Sequence, residues 1–199
     1  MKSVLLLSII IFLTIPSFSQ DRYSAKQVKD DLSYLYETLQ KSHYNLFLNT
    51  PEKEYTEAFQ LLYQSITDSM DLIEVYRTIQ PFVAFSGLAH CALDYPFGRL
   101  YENYIHSDGK VFPLNIHVND QKAYIRVNYG KVEAIKRGWE LIAINGIPVK
   151  VVLEKVYDYL SGENDYLKNT LLDIISFPRM LWILESTPDI YQVVVKDDQ

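Results

Sequence analysis

The segment FSGLAHCALDYP, Phe85 to Pro96, gathers a serine, a histidine and a cysteine in one short stretch. Histidine is the side chain suited to taking and returning a proton near neutral pH, so His90 is the candidate general base or charge-orienting group. The competing reading makes it a histidine hydrogen-bonded beneath a layer of helices. Cys91 adjoins it, but neighbours in extended chain point apart, and catalytic partners meet in space rather than in sequence. Cys91 is therefore expected as a small buried apolar group. Ser86-Gly87 and Ser161-Gly162 lack the flanking glycine of a nucleophile elbow and are read as helix ends. The four histidines, His43, His90, His106 and His117, show no metal spacing, so neither a metal nor another cofactor is expected. No Gly-rich phosphate loop is present. His117 falls on the polar side of a strand pattern, where it reads as solvated. Glu154 and Asp158 share one helix face as ordinary surface charges.

The elements that must position these groups fall into two styles. Ser24-Ala25-Lys26-Gln27 has capping-box spacing, and Val28, Leu32, Leu35 and Leu39 follow at helical period to about Lys41. Thr50-Pro51 predicts an N-cap with proline at the first helical position, ahead of the stripe Tyr55, Phe59, Leu62 and Ile66. Leu72, Val75, Tyr76 and Ile79 make a third stripe, which Pro81 is expected to kink or restart and Gly87 to cap. Three packed helices are the result. After Asp94 the punctuation changes, and Pro96, Gly98, Asp108-Gly109 and Pro113 read as loop. Phe112, Leu114, Ile116 and Val118 then alternate with Pro113, Asn115 and His117, which is strand period. Asn119-Asp120-Gln121 turns into a second strand through Ala123, Ile125 and Val127, giving a hairpin. Lys131 to Arg137 reads as one helical turn.

The stretch KRGWELIAINGIPVKVV, Lys136 to Val152, is the most compressed piece of grammar in the chain. Glu140 to Ile144 reads as a short buried strand. Asn145-Gly146 is the strongest two-residue turn signal, because both residues tolerate positive φ. Pro148 confines Ile147-Pro148-Val149 to an edge position. Helices are predicted over Val151–Leu160, Asp165–Ile175 and Pro178–Leu184, and a last strand over Tyr191–Val195. That strand stops close to the final residue, so the sheet it joins is expected to be incomplete at this end.

Bulk properties bound the function. The chain has 199 residues, 48% hydrophobic and 22% charged, which suffices for a real core in one or two domains. Its 16 tyrosines suit half-buried surfaces, where the ring packs and the hydroxyl stays wet. A net charge of −6 argues against nucleic acid or an anionic membrane as partner. Met1-Lys2, the apolar run Val4–Ile15 and the small residues Ser17 and Ser19 before Gln20 have the layout of a signal peptide over residues 1–19. The run is short for a membrane span, and an uncleaved N-terminal anchor is the alternative. Cys91 is the sole cysteine and has no internal disulfide partner. A periplasmic or secreted protein, with no stable membrane span after cleavage, is expected.

A resemblance sharpens this. GWELIAINGIPV is similar to the Gly-Asp-x-Ile-x-x-Ile-Asn-Gly-x-x-Val stretch of PDZ-like domains, with matches at Gly138, Ile142, Ile144, Asn145, Gly146 and Val149. Trp139 departs from the usual Asp. SHYNLF resembles the His-Pro-Asn-Leu-Tyr element of secreted S41-family serine peptidases, the tail-specific, C-terminal-processing and tricorn-like group. LAHCAL stands where that family shows Gly-Asp-Gly-His-Thr, with Leu88, Ala89 and Cys91 departing and the histidine kept. FPLNIHVNDQKAYI, YLSGEN and FPRMLW follow in the family's order. The resemblance implies an α+β chain with a helical N-terminal region, residues 20–95, and a small PDZ-like β-rich domain with inserted or appended helices, residues 96–199. It implies that His90 belongs to the catalytic apparatus by family position and that the PDZ-like part takes a polypeptide substrate or peptide terminus. The residues binding the peptide are not identified. The family's nucleophilic serine lies in an α/β core domain that these residues do not include, so the chain is expected to be inactive alone. The alternative is a stand-alone exported module that binds peptide or protein without catalysis.

Overall fold

The computed structural model describes residues 22–94, 97–185 and 187–197. The expected signal peptide lies outside these residues, as does the 95/96 boundary between the two expected regions. The architecture is mixed α+β, as expected: among the described residues, seven α-helices and a five-stranded antiparallel sheet. No helix among them is long and apolar enough to cross a membrane.

The helical layer is α1 (Ala25–Ser42), α2 (Glu52–Ser65) and α3 (Leu72–Ala84). Ser24 opens α1 with the predicted capping box, and Asp71 opens α3 with another. Each box satisfies amides that a helix start leaves unpaired. Thr50 does not cap α2. Its hydroxyl donates to the Phe85 carbonyl at 2.6 Å, and Pro51 takes the N-cap position without a side-chain bond. Pro81 neither breaks nor restarts α3; Ile79, Phe82 and Val83 are buried on both sides of it, and this packing carries the helix through.

The segment expected as loop after Asp94 contains a π-helical turn, Phe97–Tyr101, running into α4 (Glu102–His106). Tyr101 and Tyr104 lean on Trp182, with ring centroids 5.1 and 5.7 Å away. Tertiary packing of these rings overrides the glycine and proline signals nearby.

The sheet begins with β1 (Leu114–Asn119) and β2 (Lys122–Asn128), joined by Asp120 and Gln121, both at positive φ. Lys131–Arg137 forms turns rather than a helix. β3 (Glu140–Ile144) is the spine of the sheet. Its Glu140 and Leu141 pair with β2, and its Ala143 and Ile144 pair with β4 (Ile147–Pro148). β5 (Val193–Lys196) runs along the opposite flank of β3. Asn145 and Gly146, at φ 50° and 80°, make the predicted tight turn between β3 and β4. Asn145 also clasps the chain entering β5: its N–H donates to the Gln192 carbonyl, and its Oδ1 accepts the Gln192 N–H. β3 carries one extra residue opposite β5, so Ile142 bulges outward and Leu141 takes the buried place.

α5 (Val149–Tyr157), α6 (Asp165–Ile175) and α7 (Phe177–Leu184) complete the chain. Leu114, Ile116, Ile125, Leu141, Val156 and Met180 are among the buried side chains of one apolar cluster beneath the sheet. A second cluster holds the helical layer together, and a third, around Tyr76, Trp182 and Ile183, joins the two. Gln80 is fully buried at this junction. Its Nε2 donates to the Tyr159 carbonyl at 2.8 Å and its Oε1 accepts the Leu93 N–H at 2.9 Å, so one α3 side chain ties three segments together.

Candidate functional site

The loop bearing His90 follows from how α3 ends. Gly87 sits at φ 67°, the left-handed region open to glycine, and lets the chain turn back at once. Asn49 donates to the Gly87 carbonyl at 2.9 Å. Leu46 shares one apolar cluster with Leu88 and Cys91. The fold thus brings together the two loop motifs, Ser42–Phe47 and Leu88–Leu93, that sequence alone could only list in order. His90 occupies a turn on the exposed side of this junction rather than lying beneath the helices. Among the described residues no hydrogen bond or ion pair engages its imidazole. Cys91 points the other way, buried, and burial pushes its thiol up despite the nearby Ser86 hydroxyl. A thiol held protonated in an apolar site is a poor nucleophile. Ser161 donates its hydroxyl to the Cys91 carbonyl, and Ser86 accepts the Leu88 N–H at 3.3 Å. Both serines are buried and act as struts, consistent with their reading as helix ends.

A cleft of about 390 Å³ opens between the tip of the β1–β2 hairpin and α6. At its floor, His117 Nδ1 lies 2.9 Å from Asp173 Oδ2, so this strand histidine is paired rather than simply solvated. Asp173 turns its other oxygen towards Arg126, 4.0 Å away. The far wall is set by Tyr157, which donates its hydroxyl to Asn169 Oδ1. Burial, reinforced by Asp165, pushes the Tyr157 phenol up to about 12. Tyr157 therefore stays a neutral donor at any ordinary pH. Asp120 and Asp165 give the rim a negative character.

The chemistry available here is recognition. A carboxylate orients the His117 imidazole, which is one half of a base-and-nucleophile arrangement. The nearby hydroxyl of Thr170 donates to the Tyr166 carbonyl at 2.9 Å and is not offered to the imidazole. The edge of β1 is the other resource. Asn119 and Lys122 close the two-residue turn, so by alternation Val118 directs its N–H and C=O away from β2 and towards α6. An extended segment laid in the cleft meets backbone groups on one side and acidic and amide side chains on the other.

His43 accepts the Asn45 N–H at 3.3 Å, and His106 ends α4 on the surface. Among the described residues, no three His, Cys, Asp or Glu side chains come together as a metal site. The pairing of His117 with Asp173, across 56 residues, had no signal in the sequence beyond the spacing of each on its own element.

No protein-family model matches the sequence, and no curated protein matches it either. Solved structures do. Three crystal structures of CPAF, a chlamydial serine protease of the tail-specific kind, share this fold at low sequence identity. Mature CPAF complexed with lactacystin matches with a TM-score of 0.58 and 14% identity, covering 87% of this chain and 33% of that one. A serine-to-alanine variant matches with a TM-score of 0.56 and 14% identity, covering 87% of this chain and 32% of that one. A further structure of mature CPAF gives a TM-score of 0.55 and 15% identity, covering 86% of this chain and 34% of that one. The chain therefore spans about a third of the CPAF chains it matches.

Proposed function

We propose that this chain is the N-terminal, non-catalytic part of a secreted or periplasmic S41-like serine peptidase. In this reading residues 1–19 are a signal peptide, residues 20–95 the helical region and residues 96–199 a PDZ-like domain that presents or regulates the polypeptide substrate. The observation that carries it is the likeness of nearly all of this chain to one third of a serine protease. The order hairpin, β3, tight turn, β4 and helix agrees with a PDZ-like arrangement. The cleft lined by Val118 and α6 suits an extended peptide, the mode in which backbone bonds supply affinity and side-chain pockets supply specificity. The acidic rim of the β1–α6 cleft favours basic side chains in the bound segment. His90, exposed on a junction of two loops fixed by buried anchors, faces outward to serve a nucleophile from another domain.

The test joins sequence and activity. Residues 20–199 alone are expected to bind peptide and to hydrolyse none. The native reading frame beyond codon 199 is expected to encode an α/β domain with a glycine-flanked serine. In the joined protein His90→Ala should lower kcat by about 10³-fold or more, the scale on which loss of a general base acts, with peptide affinity unchanged. Robust hydrolysis by 20–199 alone overturns the proposal. Peptide binding with an unrelated gene downstream favours a stand-alone exported binding module.

A further inference from the structure

A cavity of about 500 Å³ opens where the helical layer meets the end of α5 and the start of α6. Its floor is apolar, made by Ala58 and Leu62 of α2 and by Pro81, Phe82 and Phe85 at the end of α3. Phe85 is 46% exposed there, although its ring lies parallel to that of Tyr55 with centroids 6.3 Å apart. A phenylalanine left half in water against a cavity is apolar surface that an occupant takes out of solvent.

The opposite wall is the segment Tyr157–Tyr159, and neighbours fix it from three sides. Tyr157 donates its hydroxyl to Asn169, Gln80 donates to the Tyr159 carbonyl, and Lys168 Nζ donates to the Tyr157 carbonyl at 3.1 Å. Lys168 reaches that carbonyl because its stem crosses Gly162, where an added Cβ would stand 3.1 Å from Lys168 Cγ. One of the three ammonium protons is thereby used at the end of α5, and two remain. Among the described residues no carboxylate pairs with this half-buried ammonium. Asp158 is the converse case, an exposed carboxylate on the same cavity with no cation paired to it among the described residues. Burial raises the Tyr159 phenol, Arg77 acts the other way, and Asp158 adds to the rise, so the carboxylate stands near that ring. The cavity thus has a free cation and a free anion on one wall and an apolar floor facing them.

We infer that this cavity binds a zwitterion with an apolar body, the chemistry of a large apolar α-amino acid, its carboxylate on Lys168, its ammonium on Asp158 and its side chain against Leu62, Pro81 and Phe85. A simple anion would answer Lys168 and meet repulsion from Asp158, and a simple cation would meet the reverse. A zwitterion answers both charges while remaining neutral overall, and charge-assisted hydrogen bonds are the strong ones. The volume is that of a small-molecule site rather than of a folded partner. This inference goes beyond the peptide-presenting reading and does not rest on it.

The test is calorimetric titration of the purified chain with phenylalanine, with phenylalanine amide, which lacks the anion, and with N-acetylphenylalanine, which lacks the cation. The titrations run at about pH 6, where α-amino groups are charged. Phenylalanine is expected to bind with a Kd of about 1 mM or tighter, and at least about tenfold more tightly than either analogue. Asp158→Asn, at an exposed position, should level phenylalanine with N-acetylphenylalanine without shifting the melting temperature. Lys168→Met keeps the stem over Gly162 and should level phenylalanine with its amide. Ala58→Leu fills part of the floor and should weaken all three ligands. An analogue that binds as tightly as phenylalanine, or a charge variant that leaves its own preference in place, overturns the zwitterionic assignment. Phenylalanine binding that none of the three variants alters overturns the site, as does no binding at about 10 mM. Each of these failures leaves the peptide-presenting reading standing, because that reading is tested by peptide binding and hydrolysis.

Discussion

The helical layer and the sheet layer are built from different cores. Beneath α1–α3 the filling is aromatic. Tyr36 stacks on Phe59 at 4.2 Å and Tyr55 on Phe82 at 4.5 Å between ring centroids. Beneath the sheet the filling is mostly aliphatic and branched, with Phe112 and Phe177 meeting edge to face at 5.6 Å. The difference has a polar consequence. Tyrosine brings a hydroxyl into the core, and each hydroxyl needs a partner. Tyr36 finds one in Thr56 at 2.8 Å. Tyr55 is fully buried and its hydroxyl finds none among the described residues. Among the described residues the aliphatic core holds no fully buried tyrosine, but it tolerates lost volume poorly.

That contrast can be broken at its strongest point first. Phe177→Ala should destabilise the sheet layer by about 3–5 kcal/mol, read as a lowered urea midpoint, because a close-packed core collapses only partly around a void. Next is the link between the layers. Gln80→Leu strands the Tyr159 carbonyl and the Leu93 N–H, at a cost of about 2–4 kcal/mol for two buried groups. It should also separate the exchange of α1–α3 amides from that of β1–β5 amides when hydrogen exchange is followed through the urea transition. Coincident loss of protection in both layers would show that the link lies elsewhere. Tyr55→Phe sharpens the contrast in the other direction. Removing an orphan hydroxyl should leave stability unchanged or raise it by up to about 1 kcal/mol, and a clear loss would mean that the hydroxyl is satisfied after all.

The smallest effect is alkaline. Burial pushes the phenols of Tyr157 and Tyr191, both packed on the sheet-side core, up to about 12 from an ordinary 10.0. The folded chain then holds these protons more tightly than the unfolded chain does. Their contribution is complete below pH 10 and drains away between pH 10 and about 12. Solvent reaches both rings, so each should contribute less than about 1 kcal/mol. Melting temperatures of the wild type and of Tyr157→Phe, compared across that range, should show the smaller alkaline loss in the variant.

Elements governed by local chemistry were legible in the sequence: the capping box at Ser24, the hairpin at Asp120-Gln121 and the turn at Asn145-Gly146. Each depends on residues a few positions apart. What escaped reading depends on distant packing. Thr50 has the right identity for a cap but gives its hydroxyl to Phe85. Phe97–Tyr101 coils against Trp182 despite its glycine. Asn115 obeys strand period yet is buried, because α7 arrives from 62 residues away. The candidate site divides likewise: His90 drew notice by its type and its place after a helix end, while the cleft at His117 needed a helix that no local pattern ties to that strand.

The spine strand β3 has a consequence for the newborn chain. Among the described residues, the apolar cluster of the helical layer draws on residues 25–93, which leave the ribosome before any strand does. β3 then acquires β2 and β4 on one flank from nearby sequence. Its other flank waits for β5, and the clasp between Asn145 and Gln192 closes over 47 residues. Pairings that distant form late. During synthesis the molecule is thus a helical layer with its own apolar cluster assembled, trailing a sheet with one flank open, and its interval of greatest exposure to aggregation runs from the emergence of β3 to that of β5.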